Sequence, residues 1–327
     1  MYKSSKSTAP TATPGAITRD ARPVPKIEAV TVGSLCLFLL MSLIWGGTWV
    51  AVKAGVTAVP PVFFAALRFG LVAALLAVMV RNWATPFGFG FVGRTLLTGL
   101  LVNTGTYSLL FWGMQFVDSG IAGLINLSLV PLGLFALSVL LGDERPSWRH
   151  ALALGLGAAG LVVLFWDGAS LAGTSVELWG MLAIVAGTFC YCLGTVLSRP
   201  LLAAFAPLQL TAAQSVVGAI GLFALAMAFE PLSGETARAL AAPAPIAGLL
   251  FLTIFGTIAA YTIYLKLVRD WGASRAGLYP FISPIVALAL GWLVYSEQID
   301  WPQMAGAVLM LAAAALAIVA QARAPPC

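Results

Sequence analysis

From position 31 onward, apolar residues fill the chain in runs of about 20, and short clusters of charge, proline and glycine separate the runs. A helix rises about 1.5 Å per residue, so each run is long enough to cross the hydrocarbon core of a bilayer. Cutting at the polar clusters gives ten segments: 31–55, 62–80, 92–114, 119–141, 149–166, 178–198, 207–229, 244–267, 273–294 and 302–320. The pattern predicts an all-α polytopic membrane protein with ten transmembrane helices. Residues 1–29 carry no such pattern and read as a disordered cytoplasmic tail rich in Ser, Thr, Pro and basic side chains. The apolar run behind them is too long for a signal-peptide core.

Charge fixes an orientation. With both termini cytoplasmic, Lys3, Lys6, Arg19, Arg22, Lys26, Arg81, Arg94, Arg145, Arg149, Arg199, Lys266, Arg269, Arg275 and Arg323 lie inside, 14 of the 17 basic residues. Lys53 and Arg238 fall outside, and Arg68 falls within the second segment. This bias follows the positive-inside rule and supports a count of ten. Composition agrees, with 61% of residues hydrophobic and 9% charged. The basic residues are scattered singly, without the basic stripe and interleaved aromatics that nucleic acid requires. Among the four cysteines, the close pair Cys190 and Cys192 diverges by about 200° on a helix, so neither a metal site nor a disulfide framework is indicated.

The chain repeats itself. "LVPLGLFALSVLLGDERPSW" (129–148) and "ISPIVALALGWLVYSEQIDW" (282–301) align on Pro131/Pro284, Glu144/Glu297 and Trp148/Trp301 at an offset of 153. Five predicted helices separate the copies, and an odd number turns the second copy over in the membrane. The expectation is two inverted five-helix repeats, residues 30–166 and 167–321, an architecture that exposes a central site to either face in turn. "GGTW" (46–49) and "AGTF" (186–189) form a weaker echo.

"WGGTWVAVKAG", "PPVFFAALRFG" and the proline-to-acid helix that occurs twice resemble the EamA family of the drug/metabolite transporter superfamily, over residues 34–320. The likeness extends to its aromatic amino acid and paraquat exporter branch. It implies a ten-helix bacterial inner-membrane permease, and export of amino acids or related metabolites.

The residues point to a pathway independently. Trp45, Trp49 and Lys53 form one line on the first helix with Thr48 beside them, and Gly47, Ala51 and Gly55 form a line of small residues suited to close packing. Trp45 lies too deep for an interfacial belt and is a candidate to line a cavity, whereas Lys53 reaches for the outer surface. Arg68 stands roughly 12 Å below the outer end of its helix, where a charge costs at least about 2.5 kcal/mol on insertion scales. Two readings stand: a fork for a substrate carboxylate, or a clamp on carbonyls freed at a helix break. Asn103, Tyr107, Asn126, Gln214, Tyr261, Tyr279 and Ser283 are polar groups near mid-membrane, each able to face substrate or simply to bond a neighbouring helix. Asn103 and Tyr107 share a face at i, i+4, and Asn126 matches Tyr279 under the repeat offset. Pro131, Pro280 and Pro284 are candidate hinges or gates, and Glu144 and Glu297 read as structural.

No Asp, Glu or His lies near the centre of a predicted helix, which argues against proton coupling through an intramembrane carboxylate. No G-x-S-x-G elbow or H-E-x-x-H motif occurs, so an enzyme lacks its parts, and neither cofactor nor metal is expected. The partners expected are a small-molecule substrate and the lipid bilayer, with the chain as monomer or weak homodimer. Two alternatives stay open, a drug or cation efflux pump of the same superfamily and a non-transporting scaffold or receptor.

Overall fold

The computed structural model describes residues 31–80, 89–140, 148–164, 175–203, 205–271 and 279–322. The expected tail, Glu144 and the stretch 272–278 lie outside the described residues. The α-helices are α1 (Val32–Val56), α2 (Pro61–Met79), α3 (Phe89–Gly99), α4 (Thr106–Gly113), α5 (Ser119–Leu140), α6 (Trp148–Leu164) and α7 (Ser175–Ser198). They continue with α8 (Pro207–Phe229), α9 (Gly234–Leu240), α10 (Pro243–Leu250), α11 (Ala260–Trp271), α12 (Tyr279–Tyr295) and α13 (Trp301–Ala322). A π-helical stretch, Leu100–Gly105, joins α3 to α4, and another, Phe251–Ala259, joins α10 to α11. Counting each joined rod once, the described residues form eleven helices. The one not expected from the apolar pattern is the short α9, which a capping box between Ser233 and Thr236 initiates.

Among the described residues six helices are long and apolar enough to cross a membrane: Val32–Val56, Pro61–Met79, Ser119–Leu137, Val176–Leu202, Pro207–Phe229 and Pro243–Tyr264. The α3–α4 rod is not among them. Its apolar run is diluted by Thr95, Thr98, Asn103, Thr104, Thr106 and Tyr107, of which Thr98, Asn103, Thr104 and Tyr107 meet other helices.

Packing pairs the helices in a regular way. α6 packs on α13, α2 on α8 and α5 on α12, each joining the elements that hold the same place in the two halves. α1 packs on α12 and α10, and α7 packs correspondingly on α5 and α4. The π-helical stretches also correspond, since "LLVNTGT" (100–106) and "FLTIFGT" (251–257) share a leucine and a Gly-Thr pair. In each, a threonine hydroxyl donates to the carbonyl five residues earlier: Thr106 to Leu101 at 2.9 Å and Thr257 to Leu252 at 3.1 Å. Asn103 and Tyr107, expected to share a face, meet different partners: Asn103 donates to the Gln214 carbonyl on α8, and Tyr107 packs against Phe69 on α2.

Backbones approach closely where glycine removes the side chain. A Cβ on Gly113 would lie 2.5 Å from the Gly180 carbonyl oxygen, and one on Gly248 would lie 2.6 Å from that of Ala51. Lipid offers apolar helices no hydrophobic reason to associate, so contacts of this kind carry the packing. Gly113→Ala should lower stability by about 1–3 kcal/mol, read as an earlier thermal transition in detergent. Gly93→Ala, whose Cβ meets nothing within 4 Å, is the control and should leave the transition unmoved.

Buried helix ends need partners for their free amides, since hydrocarbon supplies none. Glu230 accepts from the amides of Val62 at 2.8 Å and Phe63 at 2.7 Å, closing the start of α2. Glu297 accepts from the Ser119 amide at 2.8 Å, the Ser119 hydroxyl at 2.7 Å and the Gly120 amide at 3.1 Å, closing the start of α5. The structural reading of Glu297 thus acquires a specific task.

Candidate functional site

Arg68 extends from the middle of α2 and lies against two adjoining rings. Its guanidinium carbon lies 5.3 Å from the centroid of Phe69 and 5.3 Å from that of Tyr107, and those two rings are 4.4 Å apart. Nε is sealed from solvent without a hydrogen-bond partner. Arg68 makes no hydrogen bond or ion pair among the described residues, yet the residue is only partly buried, so its terminal nitrogens face accessible space. For the carbonyl clamp, one of the two readings, no carbonyl among the described residues meets this side chain. Ring faces offer a cation roughly 0.5–2 kcal/mol, but they accept none of the five N–H bonds a guanidinium can donate.

A second cluster gathers around Trp45 on α1. The indole packs against Tyr279 at 4.3 Å and Tyr264 at 5.6 Å between centroids, and Tyr264 contacts Tyr261 at 6.3 Å. The indole N–H donates to the Gly256 carbonyl at 3.0 Å, in the π-helical stretch before α11. Thr48 donates to the Trp45 carbonyl at 2.5 Å and rests its methyl group against Gly256. Trp49, one turn further on, is buried in the core against Gly123 and serves packing.

Tyrosines link the two clusters. Tyr107, Tyr191 and Tyr279 lie within electrostatic reach of one another, and the hydroxyls of Tyr107, Tyr264 and Tyr279 make no hydrogen bond among the described residues. Nearby, Asn126 donates to the Thr188 hydroxyl at 2.9 Å. Under the repeat offsets Asn126 corresponds to Tyr279 and Thr188 to Thr48. The threonine is kept in both halves, whereas an asparagine in the first stands where the second has a tyrosine.

The remaining candidates lie elsewhere. Asn103 donates to the Gln214 carbonyl at 2.8 Å, and the Gln214 amide donates to Thr98 at 2.9 Å and Ser198 at 2.8 Å. Both residues are buried in this network, which ties α3, α7 and α8 together. Ser283 is fully buried and donates to the Ser42 carbonyl at 3.1 Å, where α12 crosses α1 beside Gly46. Pro131 and Pro284 stand inside α5 and α12, whereas Pro280 sits in the first turn of the described helix.

The ends of α1, α5 and α12 meet in a charged group. Lys53 donates to the Val117 carbonyl at 2.7 Å and stands 4.0 Å from the Asp118 carboxylate, so it docks on the loop before α5 instead of reaching freely to the surface. Burial and nearby Glu297 push the Asp118 carboxyl above its ordinary range, and Lys53 draws it back. Lys53 and Glu297 hold adjacent residues of one connection. Glu297→Ala would strand two amides and a hydroxyl and should cost about 1–3 kcal/mol, measured as a lower melting temperature.

Two stretches, residues 33–166 and 178–319, match the model of the EamA-like transporter family. The chain belongs to that family. This EamA-like chain is thus a multi-pass membrane transporter by family, and not an enzyme. It is 26% identical over 274 residues to the uncharacterized transporter YoaV of Bacillus subtilis, covering 83% of this chain and 91% of that one. It is 27% identical over 266 residues to the uncharacterized inner membrane transporter YedA of Escherichia coli, covering 79% and 83%. A probable amino-acid metabolite efflux pump of Salmonella typhimurium is 26% identical over 283 residues, covering 84% and 91%. In fold, the chain superposes on a solved crystal structure at 22% identity with a TM-score of 0.59, over 90% of this chain and 99% of that one.

Tyr191 and Tyr264 of this EamA-like transporter were not singled out by sequence reasoning. Tyr264 carried a signal, being adjacent in space to Tyr261 and one turn from it; Tyr191 stands in an apolar helix with nothing in the pattern to mark its direction.

Proposed function

We propose that this protein is a bacterial inner-membrane permease that exports amino acids or related small metabolites by alternating access. In this reading ten helices span the membrane as two inverted repeats, 30–166 and 167–321, with both termini in the cytoplasm. The observation that carries it is the guanidinium of Arg68, held over the Tyr107 and Phe69 rings and meeting no carboxylate or carbonyl among the described residues. A charge placed at such cost calls for a partner that arrives, and a carboxylate matches the guanidinium fork. The Trp45–Tyr264–Tyr279 cluster is suited to the apolar part of the same molecule, with Thr48, Tyr261 and Asn126 beside it. Asn103, Gln214 and Ser283 act by positioning helices around that space.

Alternating access is supported by the exchange of packing pairs between halves and by the equivalent prolines Pro131 and Pro284, which remove one helical bond each at corresponding places. Export follows the efflux named for the Salmonella relative. The acidic residues described stand at helix ends, so the proposal includes no proton-coupling carboxylate in the membrane. One observation favours a second reading, a cation efflux pump: the aromatic faces around Trp45 can hold a cation. Arg68 opposes it by like charge. Uptake into liposomes separates the two, because carboxylate flux that depends on Arg68 supports the permease, and flux of amines alone supports the pump.

A further inference from the structure

The charge balance of the proposed site narrows its substrate. Arg68 brings one positive charge, and the groups around it and around Trp45 are neutral phenols, an indole, a threonine and an amide. The acids described nearest the ends of these helices are committed elsewhere: Asp118 faces Lys53, and Glu230 and Glu297 close the starts of α2 and α5. Two of the neutral acceptors are also engaged. The Gly256 carbonyl receives the Trp45 indole, the Thr188 hydroxyl receives Asn126, and Arg68 already lies over the faces of Tyr107 and Phe69.

A zwitterionic amino acid brings a carboxylate that Arg68 satisfies and an ammonium for which the described residues hold no uncommitted carboxylate nearby. Placed over the remaining rings, that ammonium would share a low-dielectric space with the guanidinium. A molecule with the carboxylate but without the ammonium avoids that cost. We infer that the site prefers net monoanionic carboxylates bearing a flat apolar group and no free ammonium, such as deaminated or N-acylated relatives of aromatic amino acids. This rests on the reading of the Arg68–Trp45 region as the substrate site. The phenol hydroxyls of Tyr264 and Tyr279 then have a task, donating to the oxo or acyl oxygen that replaces the ammonium.

The test uses the full-length purified protein and four probes that share one ring: phenylalanine, 3-phenylpropanoate, N-acetylphenylalanine and phenethylamine. Each is measured at pH 7.5 for ligand-dependent shift of the melting temperature and for uptake into liposomes. Liposomes holding the Arg68→Gln variant give the background of passive entry. The expected result is stabilisation and Arg68-dependent uptake of the two monoanions, with kcat/KM about tenfold or more above that of phenylalanine. Arg68-dependent uptake that favours phenylalanine would overturn this inference and leave the permease reading standing. Uptake of phenethylamine alone, or no stabilisation and no uptake by any probe, would overturn both.

Discussion

Arg68→Gln is expected to lower kcat/KM for a transported carboxylate by about a hundredfold or more, while the protein still inserts and melts no earlier than the native chain. The two halves of this expectation have one cause. A bidentate pair between guanidinium and carboxylate makes two charge-assisted hydrogen bonds, each worth roughly 1.5–3 kcal/mol, and glutamine keeps neither the charge nor the fork. Stability responds in the opposite sense. In the folded protein Nε is sealed without a partner and the guanidinium meets only ring faces, so removing it relieves a desolvation cost and strands no protein acceptor. A clamp on backbone carbonyls would behave differently, since its loss would lower the melting temperature. Arg68→Lys keeps the charge, loses the fork and should fall between the two in transport.

Trp45 carries the second large effect, on selectivity. Trp45→Ala should lower the ratio of aromatic to aliphatic carboxylate transport by about tenfold, because Tyr264 and Tyr279 lose the ring that completes their cluster. Trp45→Phe should restore most of that ratio. Both variants lose the donor to the Gly256 carbonyl, so both should speed amide hydrogen exchange in Phe251–Ala259. Selectivity that ignores the ring, with exchange that still rises, would mean that Trp45 only secures the π-helical stretch.

Much of this was legible in the chain itself. Apolar run length placed nearly all of the helices, because a bilayer imposes a minimum length that leaves a plain mark in the sequence. The offset of 153 brought out Asn126 and Tyr279 together, and the first bonds Thr188 while the second packs on Trp45. Arg68 stood out because a charge inside an apolar run has few explanations. What the pattern hid was direction. Asn103 and Tyr107 look like one polar pair in the sequence, yet one donates to Gln214 and the other lies beneath Arg68. Gln214 and Ser283 were candidates by polarity, but polarity does not reveal whether a partner is a substrate or the next helix. Glu230, at the end of α8, showed no sign of its task, since the amides it closes belong to α2, far away in sequence.

The central claim is that Arg68 meets a transported carboxylate. Its most direct test is uptake of radiolabelled phenylalanine, 3-phenylpropanoate and leucine into liposomes holding either the native chain or Arg68→Gln, with and without an imposed pH gradient. The expected result is saturable uptake of carboxylates by the native chain, little effect of the gradient, and loss of that uptake in Arg68→Gln. Equal uptake by a folded Arg68→Gln protein would contradict it.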